Sequence, residues 1–137
     1  MTDADLVSKK LALIETYVRE LVTLASPARI QDDLREERFV EHTLQIAVQA
    51  ALDVASHVAS DERWEEPRTN QELFELFARH GWIDTELARS LRAAVGFRNI
   101  LVHGYASVDK AIVRDILENH LSDLTAFVAA VRARLNV

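Results

Sequence analysis

The sequence predicts an all-α fold, an antiparallel bundle of about five helices. Three observations predict it. Alanine and leucine lead the 137 residues, with arginine and glutamate also frequent, and only three glycines and two prolines are available for turns, too few for a many-stranded β fold. Apolar residues recur at steps of three and four, the period of a helix with one buried face. Capping residues stand where those stripes begin and end. With 49% hydrophobic and 28% charged residues, the chain reads as a single globular domain over residues 1–137 with one sizeable core.

The first helix follows Asp3 or Asp5 as N-cap and runs to about Ala25, with Val7, Leu11, Ile14, Val18, Leu21 and Ala25 as its stripe. "SPAR" stops it, because the residue before Pro27 disfavours helix. The second helix spans roughly Gln31 to Ala59. Phe39, Ile46, Ala50, Val54 and Val58 mark its buried face, and Ala47, Ala51 and Ala55 let a neighbour approach closely. "SDERWEEPRTN" is irregular. Thr69 with Glu72 then forms a capping box for a short helix through Phe74 and Phe77, which Gly81 ends. Asp84 or Thr85 caps a fourth helix, with Glu86 placed against the helix dipole and Leu87, Leu91, Ala94, Arg98 and Leu101 as its stripe. Ser107 caps a fifth, with Asp109 in its first turn. Its core face is Ile112, Ile116, Leu117, Leu121, Leu124, Val128, Val131 and Leu135.

Composition narrows the function. Without cysteine, disulfides and thiolate metal sites are excluded. The first twenty residues carry charges throughout, and no uncharged run approaches the length of a membrane span. A cytoplasmic protein that does not enter membranes is expected. A net charge of −6 argues against a generic basic nucleic-acid binder. It leaves room for a local cleft that touches one or two phosphates.

The stretch "RNILVHGY", Arg98 to Tyr105, carries the candidate chemistry. Arg98 occupies a slot where its stripe is otherwise apolar, and a buried arginine needs an anion or several acceptors. It serves either an internal ion pair or snorkelling contact, or a pocket that expects a phosphate. At about 100° per residue, positions 98 and 103 diverge by about 140°. Arg98 and His103 therefore meet at one ligand only if the helix ends or deforms between them, or if a second subunit brings its own copy. Gly104 supplies a helix end and places His103 in the last turn, where the dipole favours the imidazolium. Tyr105 lies beyond the glycine, its hydroxyl either reachable or simply solvated, and Asn99 is placed to orient a neighbour. By spacing alone, such residues more often cap and pack than form a site.

Nothing else competes. His42, His57, His80 and His120 show no zinc-ligand spacing. His42 and His57 fall on solvated or subunit-facing sides of the second helix, and His120 reads as a packed histidine. "DAD" at positions 3–5 lacks the preceding Gly-Ser motif of a nucleotidyltransferase, and no P-loop, G-x-G-x-x-G or G-x-S-x-G occurs. Glu62, Glu65 and Glu66 read as a solvated loop, with Trp64 as a partner contact.

Arg98, four residues, His103, one residue and Tyr105 match the R-x4-H-x-Y signature of the HepT-like HEPN ribonuclease toxins, and "VGFRNILVHGY" resembles that family's motif helix. The resemblance extends over most of the chain: small all-helical size, long second helix, short third one, motif just before the last helix. It implies an HEPN-like bundle that dimerises with the motif lining a cleft between subunits, and a metal-independent, cofactor-free endoribonuclease. Arg98 and His103 take the catalytic positions, Asn99 the polar position after the arginine. It also implies an MntA-like nucleotidyltransferase antitoxin that transfers AMP to Tyr105 and so neutralises the toxin.

The chemistry suits these residue types. Metal-free cleavage of RNA uses the ribose 2′-OH as nucleophile, which spares DNA. Histidine titrates near neutrality and moves protons, and arginine stabilises charge developing on the phosphate. One histidine per chain does not readily serve as acid and base in one step, so a homodimer contributing two copies is expected. The competing expectation is a non-catalytic nucleotide- or RNA-binding regulatory subunit of a nucleotidyltransferase, in which the motif binds without cutting.

Overall fold

The structure, a computed structural model, describes residues 3–104 and 108–137. Among them it contains six α-helices and no strand: α1 (Ala4–Leu24), α2 (Leu34–Asp61), α3 (Asn70–Arg79), α4 (Thr85–His103), α5 (Lys110–Asn119) and α6 (Leu121–Leu135). A short 3-10 turn over Pro27–Arg29 joins the first two. None of the described helices is long and apolar enough to cross a membrane.

Side-chain caps start five of the six helices, each satisfying amide groups that have no partner inside the helix. Asp3 accepts from the Asp5 and Leu6 amides, Asp33 from Arg35 and Glu36, Thr69 from Glu72, Asp84 from Leu87 and Asp109 from Ala111. The α2 start therefore falls at Asp33, three residues after the 3-10 turn's Ile30, rather than near Gln31. Ser107, expected as the cap of the fifth helix, lies outside the described residues.

The expected fifth helix is two helices. At His120 the backbone leaves the helical region (φ −124°, ψ 2°), so α6 starts without a side-chain cap. Val113, Leu117, Leu121, Leu124, Val128 and Val131 are all buried and keep helical spacing across the break. The bend preserves phase, so periodicity alone could not reveal it. His120 itself is exposed rather than packed, 3.3 Å from both Asp115 and Asp123.

Helix α2 runs through the middle of the bundle, touching α1, α3, α4, α5 and α6, while α3 packs on α4 and α6 on α1. Ala47, Ala51 and Ala55 are fully buried within the chain. They permit close packing by the chain's own helices and are not available to a second subunit. Phe127 of α6 meets Phe74 and Phe77 of α3 at 5.3 and 5.4 Å between ring centroids, the largest wholly buried group. Full burial stabilises each such side chain by about 1.5–3 kcal/mol. Trp64 also faces inward. It stacks on His80 at 4.5 Å and meets Phe77 and Trp82 edge-on, so that this half-buried ring is engaged by the chain's own core. Glu65 is likewise engaged, held by His80 at 2.7 Å and Arg79 at 3.0 Å, which keep its carboxyl well below the usual range.

Candidate functional site at the end of the fourth helix

Helix α4 runs unbroken through the motif and stops at His103. Gly104 ends it with φ 154°, a backbone setting that L side chains rarely adopt, and its N–H closes the last turn on the Ile100 carbonyl at 3.2 Å. His103 is thereby the final helical residue, exposed, with its imidazole at the negative end of the helix dipole.

Arg98, five residues earlier, is half-buried against α2. Its Nη1 donates to Asn99 Oδ1 at 3.0 Å and its Nη2 to Gln49 Oε1 of α2. Both acceptors are neutral, and among the described residues no carboxylate comes within ion-pair distance of the guanidinium. Its Nε is buried and has no hydrogen-bond partner among the described residues. A half-buried cation held only by neutral acceptors keeps its charge, and the second N–H of each Nη remains unspent by them.

The structure thus brings Arg98 and Asn99 together and keeps His103 on another side of the helix, as their divergence around the axis requires. Among the described residues no hydrogen bond or ion pair links His103 to Arg98. Tyr105 lies outside the described residues. An apolar groove of about 340 Å³ between α4 and α5–α6, walled by Phe97, Ile112 and Ile116, excludes Arg98, Asn99 and His103 from its lining. Among the described residues there is also no cluster of three or more histidines and carboxylates able to hold a metal.

Two residues escape a sequence reading centred on α4. Gln49 is one. The other is Glu41, also on α2, fully buried with neither carboxylate oxygen hydrogen-bonded. Burial pushes its carboxyl up to about 7, and the like charge of Glu37 adds to the effect. A signal existed: Glu37, Glu41, Gln45, Gln49 and Asp53 follow each other every fourth residue, a polar row along a helix that is otherwise largely core.

Comparison with known proteins bears on this geometry. Residues 11–131 match the family model for HepT-like ribonucleases. The mRNA nuclease HepT of Shewanella oneidensis is 26% identical over 130 residues, 94% of this chain and 98% of that protein. The tRNA nuclease HepT of Aphanizomenon flos-aquae is 29% identical over 107 residues, 76% of this chain and 72% of the other. A solved structure of a tri-AMPylated Shewanella oneidensis HEPN toxin, in complex with an MNT antitoxin, superposes with a TM-score of 0.87 at 26% identity. It covers 97% of this chain and 99% of that one. With the family model spanning nearly the whole helical bundle, the chain belongs to the HepT-like ribonuclease family.

Proposed function

We propose that the chain is the RNA-cleaving toxin of a toxin–antitoxin pair, acting through Arg98 and His103 and silenced by modification of Tyr105. One observation carries the reading: Arg98 is anchored by two neutral amides, with no carboxylate among the described residues in ion-pair contact with it, on the helix that ends in His103. An arginine fixed in place yet not neutralised grips a phosphodiester through paired donors. The relatives supply the context, one being an mRNA nuclease and another a toxin that is AMPylated and bound to an antitoxin.

In this reading the ribose 2′-oxygen attacks the adjacent phosphorus, the P–O5′ bond breaks, and the departing 5′-oxygen takes up a proton. The products are a 2′,3′-cyclic phosphate and a 5′-hydroxyl. His103 moves the proton and Arg98 stabilises charge on the non-bridging oxygens, with Asn99 holding the guanidinium. No metal or cofactor is needed for these steps. Because Arg98 and His103 face apart, a second copy brings its own motif to the same cleft. Ile100 and Val102, 48% and 49% exposed beside His103, give that contact an apolar surface. Light scattering should then give a mass near twice 15.5 kDa.

The partner is an MntA-like nucleotidyltransferase. It joins AMP from ATP to the Tyr105 hydroxyl with release of pyrophosphate, and the attached phosphate then competes with RNA for Arg98. The test is purified chain with labelled RNA. Cutting by the wild type, with a loss of about 10²–10⁴-fold in His103→Ala, supports the reading. Retention of RNA without cutting supports a nucleotide- or RNA-binding regulatory subunit instead. Incubation with the nucleotidyltransferase, ATP and magnesium should add AMP mass to the Tyr105 peptide, and Tyr105→Phe should escape it.

A further inference from the structure

Resting on the reading of Arg98 as the phosphate-gripping group, we propose that Gln49 of α2 is its positioning residue, with an amide locked by Asp53 so that only its oxygen meets the guanidinium. A side-chain amide has an accepting oxygen and a donating NH₂, and either could be turned toward Arg98. Asp53, one helical turn on, removes the choice. Its carboxylate only accepts, and it takes the Gln49 Nε2 hydrogen at 2.8 Å. The oxygen is left facing Arg98 Nη2. The second Asp53 oxygen pairs with Lys10 Nζ of α1 at 3.2 Å, so the nearest negative charge on this chain of contacts is already balanced.

The chain Lys10–Asp53–Gln49–Arg98 transmits orientation without transmitting charge. Were the acceptor at position 49 a carboxylate, it would hold Arg98 equally well but neutralise it and compete with RNA. A neutral acceptor fixes one corner of the guanidinium while Asn99 fixes another. Each Nη spends one of its two N–H groups on these anchors, and the other N–H of each remains for a phosphate. A fork presented in one orientation spares the alignment cost that a freely swinging arginine would carry into the transition state.

The isosteric variant makes the inference testable. Cleavage of labelled RNA by the full chain is measured near neutral pH for wild type, Gln49→Ala and Gln49→Glu, with kcat and KM separated and the melting point of each variant recorded. Gln49→Ala should lower kcat by about 10- to 100-fold, with KM changed less. Gln49→Glu keeps the shape and the contact, but its carboxylate, ionised beside Arg98, neutralises the cation. Its KM for RNA should therefore rise by about tenfold or more while its melting point stays at or above wild type. A Gln49→Ala protein that cuts at the wild-type rate overturns the proposal. So does a Gln49→Glu protein that binds and cuts RNA as wild type does, since a purely structural role would be served by the isostere. If Gln49→Ala does not fold, the KM of Gln49→Glu decides alone. Arg98→Ala is run beside them: undiminished cleavage there would defeat the underlying reading of the site, whatever the Gln49 variants do.

Discussion

Arg98 and Arg132 are both half-buried arginines on helices of one bundle, and they are used in opposite ways. Arg132 of α6 grips Glu15 of α1 with both arms, at 2.8 and 2.6 Å. The pairing holds the Glu15 carboxyl below its usual range and raises the arginine's own pKa further. Arg98 of α4 has, among the described residues, Gln49 and Asn99, both uncharged. The first cation is consumed by the fold, tying the first helix to the last. The second is held in position and left charged. Burial and residue type are alike in the two cases, so the charge state of the acceptors is what separates a structural arginine from one available to a substrate.

The largest effect that tests this contrast should come from Arg98→Ala. RNA cleavage should fall by about 10²–10³-fold, the scale of removing one group that stabilises developing charge. Thermal melting should stay near wild type, because no charged partner is left stranded. Arg98→Lys should recover only part of the rate, since a point charge does not reproduce the planar fork.

A third group sharpens the contrast: the buried carboxylate of Glu41 has no hydrogen-bond partner among the described residues, and the charges of Arg38 and Lys110 offset its burial only in part. Glu41 has a folded-state pKa of about 7 against an ordinary 4.5. Its folded pKa is the higher one, so its favourable contribution is complete below about pH 4.5 and is lost as the pH rises toward 7. The loss amounts to about 3 kcal/mol, read as a falling unfolding free energy across that window. Glu41→Gln, a mimic of the protonated form, should flatten the slope and stabilise the protein at pH 7 and above. Identical pH profiles for variant and wild type would remove Glu41 from the account.

The smallest effect should come from Arg132→Ala. The pair is partly exposed to solvent, so the loss of stability should be at most about 1 kcal/mol, visible as a melting point lower by a few degrees. RNA cleavage measured below that melting point should be unchanged.

Most of the fold could be read from the chain because its signals are local. The α1 stripe from Val7 to Leu21 is buried at every expected position, and Thr69, Asp84 and Gly81 cap and stop helices where anticipated. The break at His120 stayed hidden because a bend that preserves phase leaves an apolar stripe intact. The alanines of α2 were legible as close-packing residues but not as to which neighbour packs there, since spacing does not identify a partner. At the site, Arg98 stood out as a charge in an apolar stripe and His103 as a residue before a glycine stop. Gln49 was legible as one of a polar row on α2, but not as a partner of Arg98, because that contact exists only once α2 lies against α4, 49 residues away in sequence. Glu41 could have been seen as an acid within a core helix, but its lack of hydrogen-bond partners is a property of the packed state.

The chemistry of the RNA ends tests the central claim most directly. RNA is incubated with the purified chain in the presence of a metal chelator, and the termini of the fragments are identified by mass spectrometry. The account predicts 2′,3′-cyclic phosphate on one fragment and 5′-hydroxyl on the other, with no cut at a position whose 2′-OH is replaced by hydrogen. Fragments ending in 3′-hydroxyl and 5′-phosphate, or cleavage that the chelator abolishes, would contradict it.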